Sequence, residues 1–104
     1  MTFSENLKKL PPIEDVDRLD LIDEAGEIVA TIENKAGQSG SLAVYCHLVQ
    51  VYATINASSA MEGLRLFAEH TNSAEQMPGK HPNIDRLFAV IAGNLTLRAK
   101  IIRK

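Results

Sequence analysis

The sequence predicts an α+β domain, with a three-stranded, mostly antiparallel sheet and about three helices packed on one face of it. Three observations carry that prediction. Residues 19–33 hold two short apolar runs around a glycine turn, the pattern of a hairpin. Leu42 to Ile91 is dominated by apolar residues at helical spacing. Near the C-terminus Leu95, Leu97, Ala99 and Ile101 alternate with Thr96, Arg98 and Lys100, a strand that needs a partner and finds the hairpin.

In chain order, Thr2 and Glu5 have capping-box spacing and predict a short helix from Phe3 to Lys9, ended by Pro11-Pro12. Ile13 to Val16 fits one helical turn. Leu19 to Asp23 reads as a strand, and Glu24 to Glu27 as its turn, with Gly26 able to take positive φ. The returning strand, Glu27 to Glu33, places Ile28, Ala30 and Ile32 on one face and Val29 and Thr31 on the other. Asn34 to Gly40 is a loop. From Ser41 to Ile55 two sets of apolar residues share one helix, which predicts cover from more than one side, and His47, Gln50 and Thr54 form its polar stripe; the β-branched and aromatic content leaves a strand as the alternative. After a break at Asn56–Ser59, Ser59 and Glu62 have capping-box spacing for a helix reaching His70 that buries Met61, Leu64 and Ala68. Pro82 opens a further helix on Ile84, Leu87, Phe88 and Ile91, with Gly93 as a left-handed cap. The closing strand, Leu95 to Ile102, is expected at an edge.

With 104 residues, 45% hydrophobic and 23% charged, the chain is a single globular domain, 1–104, that needs no metal or disulfide to fold. The lone cysteine, Cys46, fits a reducing compartment, and the first ten residues lack a leader pattern, so a cytoplasmic protein is expected. Residues 36–61 carry no charged side chain, but the run is interrupted by polar residues and reads as a buried helix rather than a membrane span. Charge is uneven: residues 1–33 hold nine acids and three bases, and the rest four acids and eight bases. The basic C-terminus (Arg98, Lys100, Arg103, Lys104) could hold phosphates, but Asp20, Glu27 and Glu33 on the partner strands explain the asymmetry by cross-strand pairing. Net acidity and scarce aromatic residues also argue against nucleic acid as a partner.

Few residues suggest chemistry. The loop Gly37–Ser41 stands before a helix and offers backbone N–H groups to an anion, but lacks the lysine of a phosphate loop. His47, His70 and His81, with Cys46 and Glu69, show no metal-ligand spacing, and no metal or cofactor is expected. Cys46 and His47, adjacent on a helix, point apart and make no nucleophile–base pair. The most distinctive polar segment is Gly79–Arg86. Its Lys80, His81, Asn83 and Arg86 are the candidate ligand-binding residues, although Pro82 and Asp85 also make it a good helix start.

The segments Glu62–Thr71 and Gly79–Leu87 resemble a family of small bacterial proteins catalogued only as a domain of unknown function. The resemblance spans nearly the whole chain and implies a stand-alone bacterial cytoplasmic protein; it brings no activity and no site residue. The resulting expectation is a non-catalytic domain that binds another protein or its own copies, the edge strand being its positive hint. The runner-up is a small enzyme or small-anion binder using Lys80, His81, Asn83 and Arg86, with the Gly37–Ser41 loop.

Overall fold

The computed structural model describes residues 1–104. Its elements are α1 (Phe3–Lys8), β1 (Val16–Ile22), β2 (Ile28–Glu33), α2 (Ser39–Tyr52), α3 (Ala57–Phe67), α4 (Glu69–Gln76), α5 (Pro82–Gly93) and β3 (Arg98–Arg103). The sheet order is β2-β1-β3 and both pairings are antiparallel. The class is therefore α+β, with five helices where about three were expected. Chain connectivity puts the hairpin first, and β3 returns to the free side of β1 after the helices.

The hairpin forms because Asp23 organises its turn. Its Oδ1 accepts from the N–H groups of Ala25 and Glu27, both at 2.9 Å, and Gly26 sits at φ 86°. A bulge between Leu21 and Ile22 changes the face of the next residue. Leu21 pairs with Ala30 but Ile22 pairs with Ile28, so Ile28 leaves the core face on which it was expected and is 60% exposed. Inward, Leu19, Leu21 and Ile32 are buried beneath α2. Outward, Val29, Thr31, Arg98 and Lys100 are exposed. The register sets Lys100 beside Asp20, but the Asp20 carboxylate accepts from Thr31 Oγ1 at 2.8 Å and lies 3.5 Å from Arg18 Nε. Arg103 pairs with Asp15 at 2.7 Å. Arg98 and Lys100 make no ion pair, so the expected cross-strand pairing with Asp20, Glu27 and Glu33 does not form.

The helical layer departs from expectation at three places. Asn56, not Ser59, caps α3: its side chain accepts from the Ser59 N–H, and the Ser59 hydroxyl accepts from the Asn56 N–H. The buried stripe of α3 then runs through Ala60, Gly63 and Phe67, and Met61 is 61% exposed rather than buried. Gly63 carries no hydrophobic signal, yet it is the contact point: a Cβ there would lie 2.8 Å from Leu87 Cδ1 and 2.9 Å from Leu48 Cδ1. The helix also stops at Ala68, which takes φ 52° and ψ −117°, instead of running to His70. No glycine or proline marks this break. The last carbonyls of α3 are satisfied from elsewhere, Leu64 by the Thr71 hydroxyl and Leu66 by the Asn6 carboxamide at 2.9 Å. Finally, Asn94 at φ 48° is the left-handed cap of α5, while Gly93 is still helical. Leu97 exchanges two 2.9 Å backbone bonds with Ile55, so the segment before β3 ties to the α2–α3 link and the strand begins at Arg98 instead of Leu95. No helix is long and apolar enough to cross a membrane.

Candidate functional site: a carboxylate-free cavity between two helix starts

The starts of α2 and α5 come together on one cavity of about 450 Å³. Gly37, Ser39, Gly40 and Ser41 line it from the α2 side. Lys80, His81, Pro82, Asn83 and Ile84 line it from the α5 side. Phe3 and Leu7 of α1, with Phe67 and His70, complete the wall. The volume lies within the range of about 300–1,000 Å³ common for small-molecule pockets. No Asp or Glu is among the lining residues.

Local sequence explains both helix starts. Gly37 takes φ 87° and lets the chain turn into α2. Gln38, the residue at the α2 cap, makes no capping bond, because its Oε1 accepts from the Glu33 N–H instead. The Gly40 and Ser41 N–H groups have no acceptor within the protein, and no acidic residue stands in that first turn. At α5, His81 occupies the cap without a side-chain capping bond, Pro82 follows, and the Asn83 N–H has no protein acceptor. Asp85 turns away from the cavity, its Oδ2 accepting from the Gly79 N–H at 2.8 Å. Two helix N-termini therefore face one space beside exposed Lys80, that of α2 with no carboxylate in its first turn and that of α5 with Asp85 there but outside the cavity lining.

Aromatic rings form one wall. Phe3 stacks on Phe67 with centroids 5.4 Å apart, and meets His70 edge-on at 5.0 Å. His70 lies 5.6 Å from His81. His81 Nε2 is 3.1 Å from Ser73 Oγ, so Nδ1 is its nitrogen left for a ligand. That separation would suit a nucleophile and its base, but Ser73 does not line the cavity. Its hydrogen bond fixes the ring of His81. A carboxylate latch holds α1 over the wall: Glu69 Oε1 accepts from the Phe3 N–H at 2.8 Å, which keeps the Glu69 carboxyl below the usual carboxylate range.

Of the four candidate residues, Lys80, His81 and Asn83 line the cavity and Arg86 does not. Arg86 Nη1 donates to Asn83 Oδ1 at 2.8 Å and to the Tyr45 hydroxyl at 3.3 Å, and its guanidinium lies 5.8 Å from the Tyr45 ring centroid. Tyr45 in turn donates to the Asn83 carbonyl. Burial is the main cause that pushes its phenol up to about 12. This cluster locks α5 to α2 and positions Asn83. Sequence reading joined the Gly37–Ser41 loop to Lys80–Asn83 only as a supposition. It missed Phe3, Leu7, Phe67 and His70, which reach the cavity through tertiary packing of α1 and the break at Ala68. Cys46 is buried in the core, where burial first of all raises its thiol to about 11, and His47 stands on α2 near Glu62. No three His, Cys, Asp or Glu side chains gather as a metal site.

A family model described as an uncharacterized protein conserved in bacteria, DUF2322, matches residues 3–101. The chain belongs to that family. The matched span includes both helix starts, the aromatic wall and all three strands of the DUF2322 domain except the end of β3. Neither the curated proteins nor the solved structures contain a match to the chain.

Proposed function

We propose that this protein binds a small anionic molecule in the cavity between the starts of α2 and α5. The observation that carries the reading is the convergence of Gly40, Ser41 and Asn83 N–H groups with Lys80, His70 and His81 on a space that no carboxylate lines. Each element favours negative charge: helix N-termini by their dipoles, Lys80 by its ammonium and the histidines by donating hydrogen bonds. Arg86 supports the site from behind.

Melting curves with and without inorganic phosphate test this. Ligand at about 100 times its dissociation constant stabilises a folded domain by about 2.7 kcal/mol, a melting shift of about 10 °C for a domain of this size. Lys80→Ala, at an exposed position, is expected to keep the unliganded melting temperature and to lose most of the phosphate shift. Arg86→Ala is expected to lower the unliganded melting temperature itself. Equal phosphate shifts in the wild type and Lys80→Ala would refute the assignment.

A second reading, association with another protein or with a second copy, is supported by the two open sheet edges. β2 and β3 are both edge strands, and Ile28 and Val29 are 60% and 50% exposed beside them. Three cations on β3 oppose pairing of two β3 edges, which leaves β2 as the apolar edge for pairing.

A further inference from the structure

The cavity is larger than a bare oxyanion needs, and its remaining wall is made of rings. Resting on the anion-binding reading above, we propose that the ligand carries a flat unsaturated ring next to its anionic group, as in an aryl carboxylate or aryl phosphate. A water molecule occupies about 30 Å³ of liquid. An oxyanion a few times that size would leave most of the 450 Å³ to solvent.

The rings stand in one continuous series. Phe67 and Phe3 are 23° from parallel, Phe3 and His70 meet at 86°, and His70 and His81 are inclined at 51°. Their centroid separations fall within the range of about 4.5–7 Å at which aromatic rings attract one another. Phe67 is a core residue at 2% exposure, but Phe3, His70 and His81 are only half-buried and keep surface toward the cavity. The rings touch one another, and a flat guest would meet the surface that Phe3, His70 and His81 leave exposed along the cavity wall.

Gly40 links that wall to the anion donors. A Cβ at Gly40 would lie 3.1 Å from Phe3 Cζ, so the ring of Phe3 rests against the backbone of the α2 start. The free N–H groups of Gly40 and Ser41 therefore lie beside the Phe3 ring. A ligand reaching both needs its charged group close to its ring, which favours benzoate-like and phenyl phosphate-like molecules over long-tailed acids.

The test is calorimetric titration of the full chain with four probes: inorganic phosphate, acetate, phenyl phosphate and benzoate. Phenyl phosphate is expected to bind about ten-fold tighter than phosphate, and benzoate about ten-fold tighter than acetate. Phe3→Leu should erase both ratios and leave the phosphate affinity within about two-fold. Should Phe3→Leu fail to fold, His70→Leu reads the two ratios alone, since it also removes an anion donor and lowers the phosphate affinity. Equal affinities for aryl and simple anions would overturn the ring requirement and leave the anion site standing. Aryl selectivity that survives both substitutions would also overturn it, because the ring contact would lie elsewhere. Absence of binding by all four probes would overturn the anion site and the ring requirement together.

Discussion

Tyr45 joins the core to the site through one hydroxyl. That hydroxyl donates to the Asn83 carbonyl and accepts from Arg86, inside a side chain with no exposed surface. Tyr45→Phe leaves the volume filled but removes the hydroxyl's bond to the Asn83 carbonyl, which keeps its place in the helical ladder, and strands one guanidinium donor. A loss of about 1–3 kcal/mol is expected in denaturant unfolding. The pH dependence follows from the raised phenol. Its folded pKa of about 12 lies above the ordinary value of 10.0, so its contribution is complete below pH 10.0 and is lost as pH rises toward 12. Ultraviolet titration of the native protein should show a phenol ionising near pH 12, and Tyr45→Phe should remove that step. Glu69 works in the opposite sense. Its carboxyl is lowered from 4.5, chiefly by the Phe3 N–H, so the α1 latch holds above pH 4.5 and loosens as pH falls below it. The Phe3 amide resonance followed through acid pH should report that loosening, and Glu69→Gln should abolish its acid titration.

At the scale of elements, α3 shows what sequence conceals. Periodicity gave the existence of the helix, while its phase depended on Gly63, a residue with no hydrophobic signal whose value is the absence of a side chain. Gly63→Ala tests this. In a helix, alanine is favoured over glycine by about 1 kcal/mol. Overpacking costs about 1–3 kcal/mol, and Leu48 and Leu87 are both fully buried, so the clash outweighs the propensity. Net destabilisation of up to about 2 kcal/mol is expected in chemical unfolding, and a gain in stability would contradict the three-helix contact. The break at Ala68 was illegible for a related reason. The carbonyls that a longer helix would have used are taken by Asn6, 60 residues away in the chain, and by Thr71 just beyond the break. The hairpin turn, by contrast, was readable because Asp23 and Gly26 act locally, although β1 begins at Val16, earlier than the expected Leu19. The bulge that turns Ile28 outward also escaped, since it depends on pairing register.

At the scale of the whole molecule, the fold works as a bracket. The sheet packs against α2, and α1, the end of α3, α4 and α5 close a ring-lined space above the α2 start. The class, the antiparallel sheet and the polar segment Lys80–Asn83 were legible from local pattern. The meeting of that segment with Gly37–Ser41, about forty residues earlier in the chain, was not, because only tertiary packing brings two helix starts together. The open sheet edges make a separate prediction. If β2 pairs with a second copy, light scattering should show a concentration-dependent dimer that Val29→Lys returns to monomer. A monomer at all concentrations would remove self-pairing and leave the cavity untouched. The cavity is tested most directly by amide chemical shifts during a phosphate titration of the ¹⁵N-labelled protein. Saturable shifts are expected, concentrated at Gly40, Ser41 and Asn83, whose N–H groups lie in the first turns of the two helices and lack a protein acceptor. Shifts that are absent, or that gather on the basic β3 edge instead, would contradict the anion site.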